Sequence, residues 1–233
     1  MSEYPTTPNF ADSFERVSTK VVENAAEGSA WVAKQIATLI RAKQKKKEKV
    51  VLGLATGSTP KSLYAELVRL HKEEGLSFKN VITFNLDEYF PIEADAPQSY
   101  WSFMHKHLFN HIDIDPKNIH IPSGKWPKDD IKKYCAEYDA AIVHAGGIDL
   151  QILGIGGNGH IGFNEPGSSI ISKTRLVNLA NNTRLANAYE FSHLSKVPRL
   201  AVTMGIGTIM QSKRILLMAF GHKGEIITRA TEG

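Results

Sequence analysis

Sulfur chemistry is nearly missing from this chain, whose 233 residues include one cysteine. Cys135 has no partner for an internal disulfide. It lies in a polar helical context, KKYCAEY, with no second Cys to suggest a metal site, so it reads as structural. Long apolar runs are missing too: no stretch approaches the roughly 20 uncharged residues of a membrane span. The N-terminus, MSEYPTTPNF, lacks the basic-then-apolar order of a signal peptide, and together these absences give the expectation of a cytoplasmic protein. No helix-turn-helix segment is present to read DNA, and no repeat or low-complexity linker divides the chain. With 42% hydrophobic residues the length suits one substantial core.

Charge is present in modest excess, +4 with a pI near 9.0. Much of it comes from the run KQKKKEK, Lys43 to Lys49, at the end of an expected helix, where cations complement the helix dipole. No stacking aromatics follow, so the run is read as a solvated helix end and not as a nucleic-acid surface.

Residues 1 to about 12 are polar and proline-containing and are expected to form an arm. Helical spacing follows at Phe14, Val17 and Val21 and again from Trp31 to Ile40, with Glu27-Gly28-Ser29 expected as a break and cap between them. This gives an expected division into 1–28, arm and helix, and 29–233, one α/β domain. From residue 50, apolar runs alternate with amphipathic stretches: VVLGLAT, VITFNLDEY, NIHIP, LQILGIG, RLAVTMGIG and RILLMAFG. Apolar strands without a polar face, separated by helices, predict a doubly wound α/β fold, a mostly parallel sheet with helices on both faces. The last segment, HKGEIITRATEG, starts a helix and stops at Gly233, so either the fold ends on a helix or a C-terminal part is missing.

In such sheets ligands bind outside the carboxyl ends of the strands, and the informative motifs fall there. In ATGSTP, Gly57, Ser58 and Thr59 place small residues and backbone N–H groups before a helix, with Pro60 near its first turn. This is no G-x-x-x-x-G-K-[ST] loop and carries no following ribose-binding acid, so a phosphate on a small molecule fits better than a nucleotide. In NLDEYF the adjacent acids Asp87 and Glu88 cannot face the same way, so one is expected in the cleft and the other in a structural bond. In LGIGGNGHIGFNEPGSS a glycine-rich turn is followed by His160, Asn164 and Glu165, a spacing that suits an acid/base histidine beside a carboxylate. In GHKG, Lys223 offers a point charge to a phosphate. His105, His107 and His111 are read as surface or core-edge residues without a zinc constellation.

Taken together, GLATGSTP, FNLDEYF, GIGGNGHIGFNEPGSS, the NTRLAN segment and TMGIGTIM closely resemble the glucosamine-6-phosphate deaminase family. The resemblance runs from about Val50 to Gly233. It implies an aldose–ketose isomerisation with loss of ammonia, using no metal and no cofactor, on an amino-sugar phosphate; a homo-oligomer is compatible with it. It implies Asp87 as the base that moves a proton from C2 to C1, and His160 as the group that opens the ring, supported by Glu165 and Asn158. Ser58, Thr59 and Lys223 match phosphate positions, with Gly57 and Gly159 as further substrate contacts. The sequence also departs from the family pattern. Asn158 stands where many relatives have Asp, and Tyr189 where many carry a phosphate-contacting Arg, which leaves Arg184 as a possible substitute. The lysine turn is one residue shorter, and Val177 replaces a basic residue near an allosteric site that Ser168 and Arg175 otherwise match.

Two rival functions share parts of this pattern. A 6-phosphogluconolactonase would share the phosphate loop and histidine, but FNEP and NLDEY argue against it. A non-catalytic sugar-phosphate sensor needs no proton-transfer set, and Asp87, His160 and Glu165 argue against that.

Overall fold

The computed structural model describes residues 17–221 and 224–232, so the expected N-terminal arm and Lys223 lie outside the described residues. Its elements in chain order are α1 (Ala25–Lys45), β1 (Val50–Leu54), α2 (Lys61–Glu74), β2 (Val81–Asn85), β3 (Asp87–Phe90), α3 (Tyr100–His107), β4 (Ile119–His120), α4 (Ile131–His144), β5 (Leu150–Gly154), β6 (Arg175–Asn178), α5 (Asn181–Asn187), β7 (Leu200–Thr203), α6 (Ile206–Met210), β8 (Ile215–Met218) and α7 (Gly224–Glu232). No described helix is long and apolar enough to cross a membrane.

Five parallel strands form the central sheet in the order β4-β2-β1-β5-β8. The apolar runs of β1, β2 and β5 are buried on both faces, as the sequence predicts, while the edge strands β4 and β8 are only partly covered. On one face Ile36 and Ile40 of α1 and Leu63 and Leu67 of α2 close over Leu52, Leu54, Leu150 and Ile152. On the other, Tyr138 and Ile142 of α4 close over Val51, Phe84 and Leu153. Each such side chain removed from water contributes about 1.5–3 kcal/mol.

Three expectations are corrected. First, α1 runs without interruption through Glu27-Gly28-Ser29, and its N-cap is Asn24, whose side chain accepts the Glu27 N–H. A Cβ on Gly28 would stand 2.8 Å from the Phe220 ring, so the glycine serves close packing and not a break. Ser29 Oγ lies 2.7 Å from Ser62 Oγ and links α1 to α2. Val17 and Val21, read as helical spacing, are exposed in irregular chain. Second, VITFNLDEY is two strands in two sheets. The chain leaves the central sheet at Leu86 and enters an antiparallel sheet of order β3-β7-β6. RLAVTMGIG therefore pairs antiparallel with β3, Asp87 opposite Thr203, and not with the parallel series. The half-buried edge strand β6 lacks an apolar run to announce it, because an antiparallel edge needs only one covered face. Third, the basic run is not wholly solvated: Lys43 and Lys213 both hold Asp149, at 2.9 and 2.7 Å.

Candidate active site

At the carboxyl ends of the parallel strands lies a cleft of about 690 Å³. The loop after β1 forms one wall. Gly57 has φ +97°, a backbone conformation that side chains resist, and no described residue accepts the N–H groups of Gly57, Ser58 or Thr59. Helix α2 begins behind Pro60 without a side-chain cap, so its N-terminal donors add to those of the loop.

Asp87 stands at the first position of β3, buried in the cleft floor. Burial, then the neighbouring Glu88 charge, raises its carboxyl to about 8, against a smaller opposing effect of the Phe163 backbone. Gly162 has φ +58°, and a Cβ there would lie 2.9 Å from Asp87 Oδ2, so the turn at 162 leaves the carboxylate its room. Glu88 points the other way. It accepts the N–H groups of Tyr89, Tyr100 and Trp101 at 2.9, 2.9 and 3.0 Å, the last two opening α3. Burial raises it to about 7 despite those three donors. The two adjacent acids divide as the sequence predicts.

His160 lines the cleft beside β5. A Cβ on Gly156 would stand 2.1 Å from the imidazole, so the ring lies directly on that glycine. The hydrogen bonds around the ring set the orientation of the imidazole. Glu165 accepts from Asn158 Nδ2 at 2.8 Å, which turns Asn158 Oδ1 toward His160. That oxygen accepts the His160 backbone N–H at 3.2 Å and lies 2.7 Å from Nδ1. An amide oxygen only accepts, so Nδ1 carries a proton and faces Asn158. The second Glu165 oxygen accepts from Thr183 of α5. Asn158 and Glu165 thus stand behind the imidazole and not on the cleft wall. Gly159, φ +88°, closes the same turn with its N–H on the Gly156 carbonyl at 3.0 Å.

The structure thus brings Gly57, Ser58, Thr59, Asp87 and His160 to one cleft. Tyr189 also lines it, with its hydroxyl donating to Glu190 at 3.0 Å. Arg184 does not replace the missing guanidinium: it donates to the Leu194 and Val197 carbonyls at 3.0 and 3.1 Å. Three cationic side chains were missed by sequence reading, Lys61, Lys106 and His107. His107 was read as a surface or core-edge residue, and lysines on amphipathic helices are ordinarily solvated; the one available signal is that Lys61 follows directly on GSTP.

Residues 23–233 match the sequence profile of glucosamine-6-phosphate isomerases/6-phosphogluconolactonase. The chain belongs to that family. It is 49% identical over 203 residues to a glucosamine-6-phosphate deaminase of Thermoanaerobacter sp. (strain X514), covering 87% of this chain and 79% of that one. A solved monomeric glucosamine-6-phosphate deaminase superposes with a TM-score of 0.80 at 46% identity, covering 84% of this chain and 79% of the other. The 6-phosphogluconolactonase of Trypanosoma brucei has a TM-score of 0.71 at 20% identity, over 92% and 86% of the two chains, and shares the fold. Within the family this chain stands with the deaminases in sequence, and with both branches in its parallel sheet.

Proposed function

We propose that the cleft converts glucosamine 6-phosphate and water to fructose 6-phosphate and ammonia. The observation that carries this reading is a buried carboxyl, Asp87, raised to about 8, in the same cleft as an anion loop and a histidine whose Nδ1 is held by Asn158. The phosphate sits on the Gly57–Thr59 N–H groups, far enough from the reacting carbons to orient them without taking part. His160 Nε2 takes the proton of the anomeric hydroxyl and delivers it to the ring oxygen, which opens the pyranose. Asp87, ionised beside the C2 ammonium, then removes the C2 proton and returns it to C1 through an enol-type intermediate. One ammonium proton passes to O1 in the same shift, and the resulting C2 iminium adds water and releases ammonium, so atoms and charge balance without a redox partner. Asn158 and Glu165 hold the imidazole in the form that accepts.

The test is an assay of ammonia and fructose 6-phosphate from glucosamine 6-phosphate, with 6-phosphogluconolactone as the comparison substrate. Release of ammonia with no lactone hydrolysis is the expected result. Lactone hydrolysis alone assigns the cleft to the other branch of the family, and binding without turnover of either makes it a sensor.

A further inference from the structure

Helices α2 and α3 meet through an aromatic pair: the Tyr64 and Phe103 rings lie edge to face with centroids 6.5 Å apart. Lys61 is one turn before Tyr64, and Lys106 is one turn after Phe103, so the contact that joins the helices also brings both ammonium groups to the cleft. Lys61 Nζ lies 5.8 Å from the centroid of the Phe103 ring, and the His107 ring lies 4.5 Å from the same ring. Phe103 is thus a platform between two basic side chains. A side chain in the first turn of a helix leans toward the helix N-terminus, and for Lys61 that direction leads to the Gly57–Thr59 loop.

Neither lysine pairs with a carboxylate among the described residues. Asp87 and Glu190 line the same cleft, but neither forms an ion pair with Lys61 or Lys106, while elsewhere Arg69 holds three glutamates and Lys43 and Lys213 share Asp149. Burial, then the charges of Lys61, Lys106 and His111, lowers the basicity of His107, so the imidazole registers a field of one sign. Cations gathered without a counter-charge repel one another, and the arrangement is complementary to an anion of more than one charge. Tyr189 brings no charge to the cleft, and Arg184 is committed to two carbonyls.

We propose that Lys61 and Lys106 add side-chain charge that binds the substrate phosphate beside the Gly57–Thr59 N–H groups. This rests on reading the cleft as a sugar-phosphate site. The two lysines take up the charge that Tyr189 does not provide, from a pair of helices and not from the segment around residue 189. They act on binding alone, since neither needs to reach C1 or C2 for the role.

Titration calorimetry with inorganic phosphate on the full chain, for wild type, Lys61→Gln, Lys106→Gln and the double variant, tests the assignment. Both side chains are exposed, so the variants fold, and circular dichroism checks that they do. Charge-assisted hydrogen bonds of this kind correspond to about tenfold each, so the double variant binds phosphate on the order of a hundredfold more weakly. KM for glucosamine 6-phosphate rises in parallel, with kcat within about threefold, and Lys61→Arg and Lys106→Arg keep most of the affinity. A double variant that binds phosphate as wild type does, with KM unchanged, overturns the proposal. A wild-type chain that releases no ammonia overturns the proposed reaction instead, and the phosphate titration still decides the lysines.

Discussion

Asp87 is a carboxyl that the fold holds in its protonated form, and this has consequences of opposite sign for activity and stability. Its folded value, about 8, lies above its value in the unfolded chain. Its contribution to stability is therefore complete below the ordinary carboxylate range and declines as pH rises toward 8. Asp87→Asn removes that ionisation. The variant should melt at or above the wild-type temperature, with the gap widening between about pH 5 and pH 8, while ammonia release falls by about a hundredfold or more. A variant that melts lower throughout, or that keeps its activity, contradicts the role. In the free enzyme the same group makes wild-type kcat/KM rise with pH toward about 8, as the base loses its proton. Asn158 gives a second residue-scale expectation. Removing the acceptor of the Nδ1 proton in Asn158→Ala frees the imidazole to adopt either tautomer, and should lower kcat about 10- to 100-fold with little change in KM. A change confined to KM would mean that the side chain binds substrate and does not orient His160.

Glu88 shows how an element can depend on one side chain. Its carboxylate takes two opening N–H groups of α3, the helix that carries Tyr100, Phe103, Lys106 and His107 into the cleft. Glu88→Ala leaves buried donors unpaired and should cost about 1–3 kcal/mol, measured by denaturant unfolding, with a rise in KM as α3 shifts. A loss of stability with KM unchanged would separate the helix from the site. The elements differed in how legible they were. The buried parallel strands declare themselves, because covering on both faces leaves nothing but apolar residues in β1 and little else in β2. The splitting at Leu86 does not, since nothing in the side chain marks it and the change of sheet is a matter of backbone hydrogen bonding alone. The site followed the same division. Asp87 and His160 stood out by position after strands, whereas Lys61 and Lys106 needed the packing of α2 on α3 before ordinary surface lysines could be seen as facing one cleft. Gly28 misled for the same reason: a helix break and a close contact with Phe220 look alike until the ring is in place.

At the scale of the molecule, Asp149 ties distant parts of the chain. Burial works against its charge, but the Lys213, Val51 N–H and Lys43 hydrogen bonds outweigh it and hold the carboxyl below its ordinary range. That contribution is present above the ordinary carboxylate range and is lost as pH falls through the depressed value, opposite in sense to Asp87. With Lys213 more than half exposed, the ion pair is screened, and Asp149→Asn should cost about 1–2 kcal/mol at neutral pH, the difference closing as the solution is acidified. A difference that grows on acidification would contradict the ion-pair account. Leu86 binds the two sheets in another way: its N–H donates to Leu54 of the parallel sheet at 3.0 Å, and its carbonyl accepts from Met204, beyond β7, at 2.7 Å. Neither sheet can open alone without breaking a bond at this peptide. The amide hydrogens of Leu86 and Met204 should therefore exchange with deuterium only at the slow rate of complete unfolding, while those of Gly57 to Thr59 exchange early. On the proposed reading, the base and the phosphate, though they share one cleft, are gripped by parts of the protein that keep very different time.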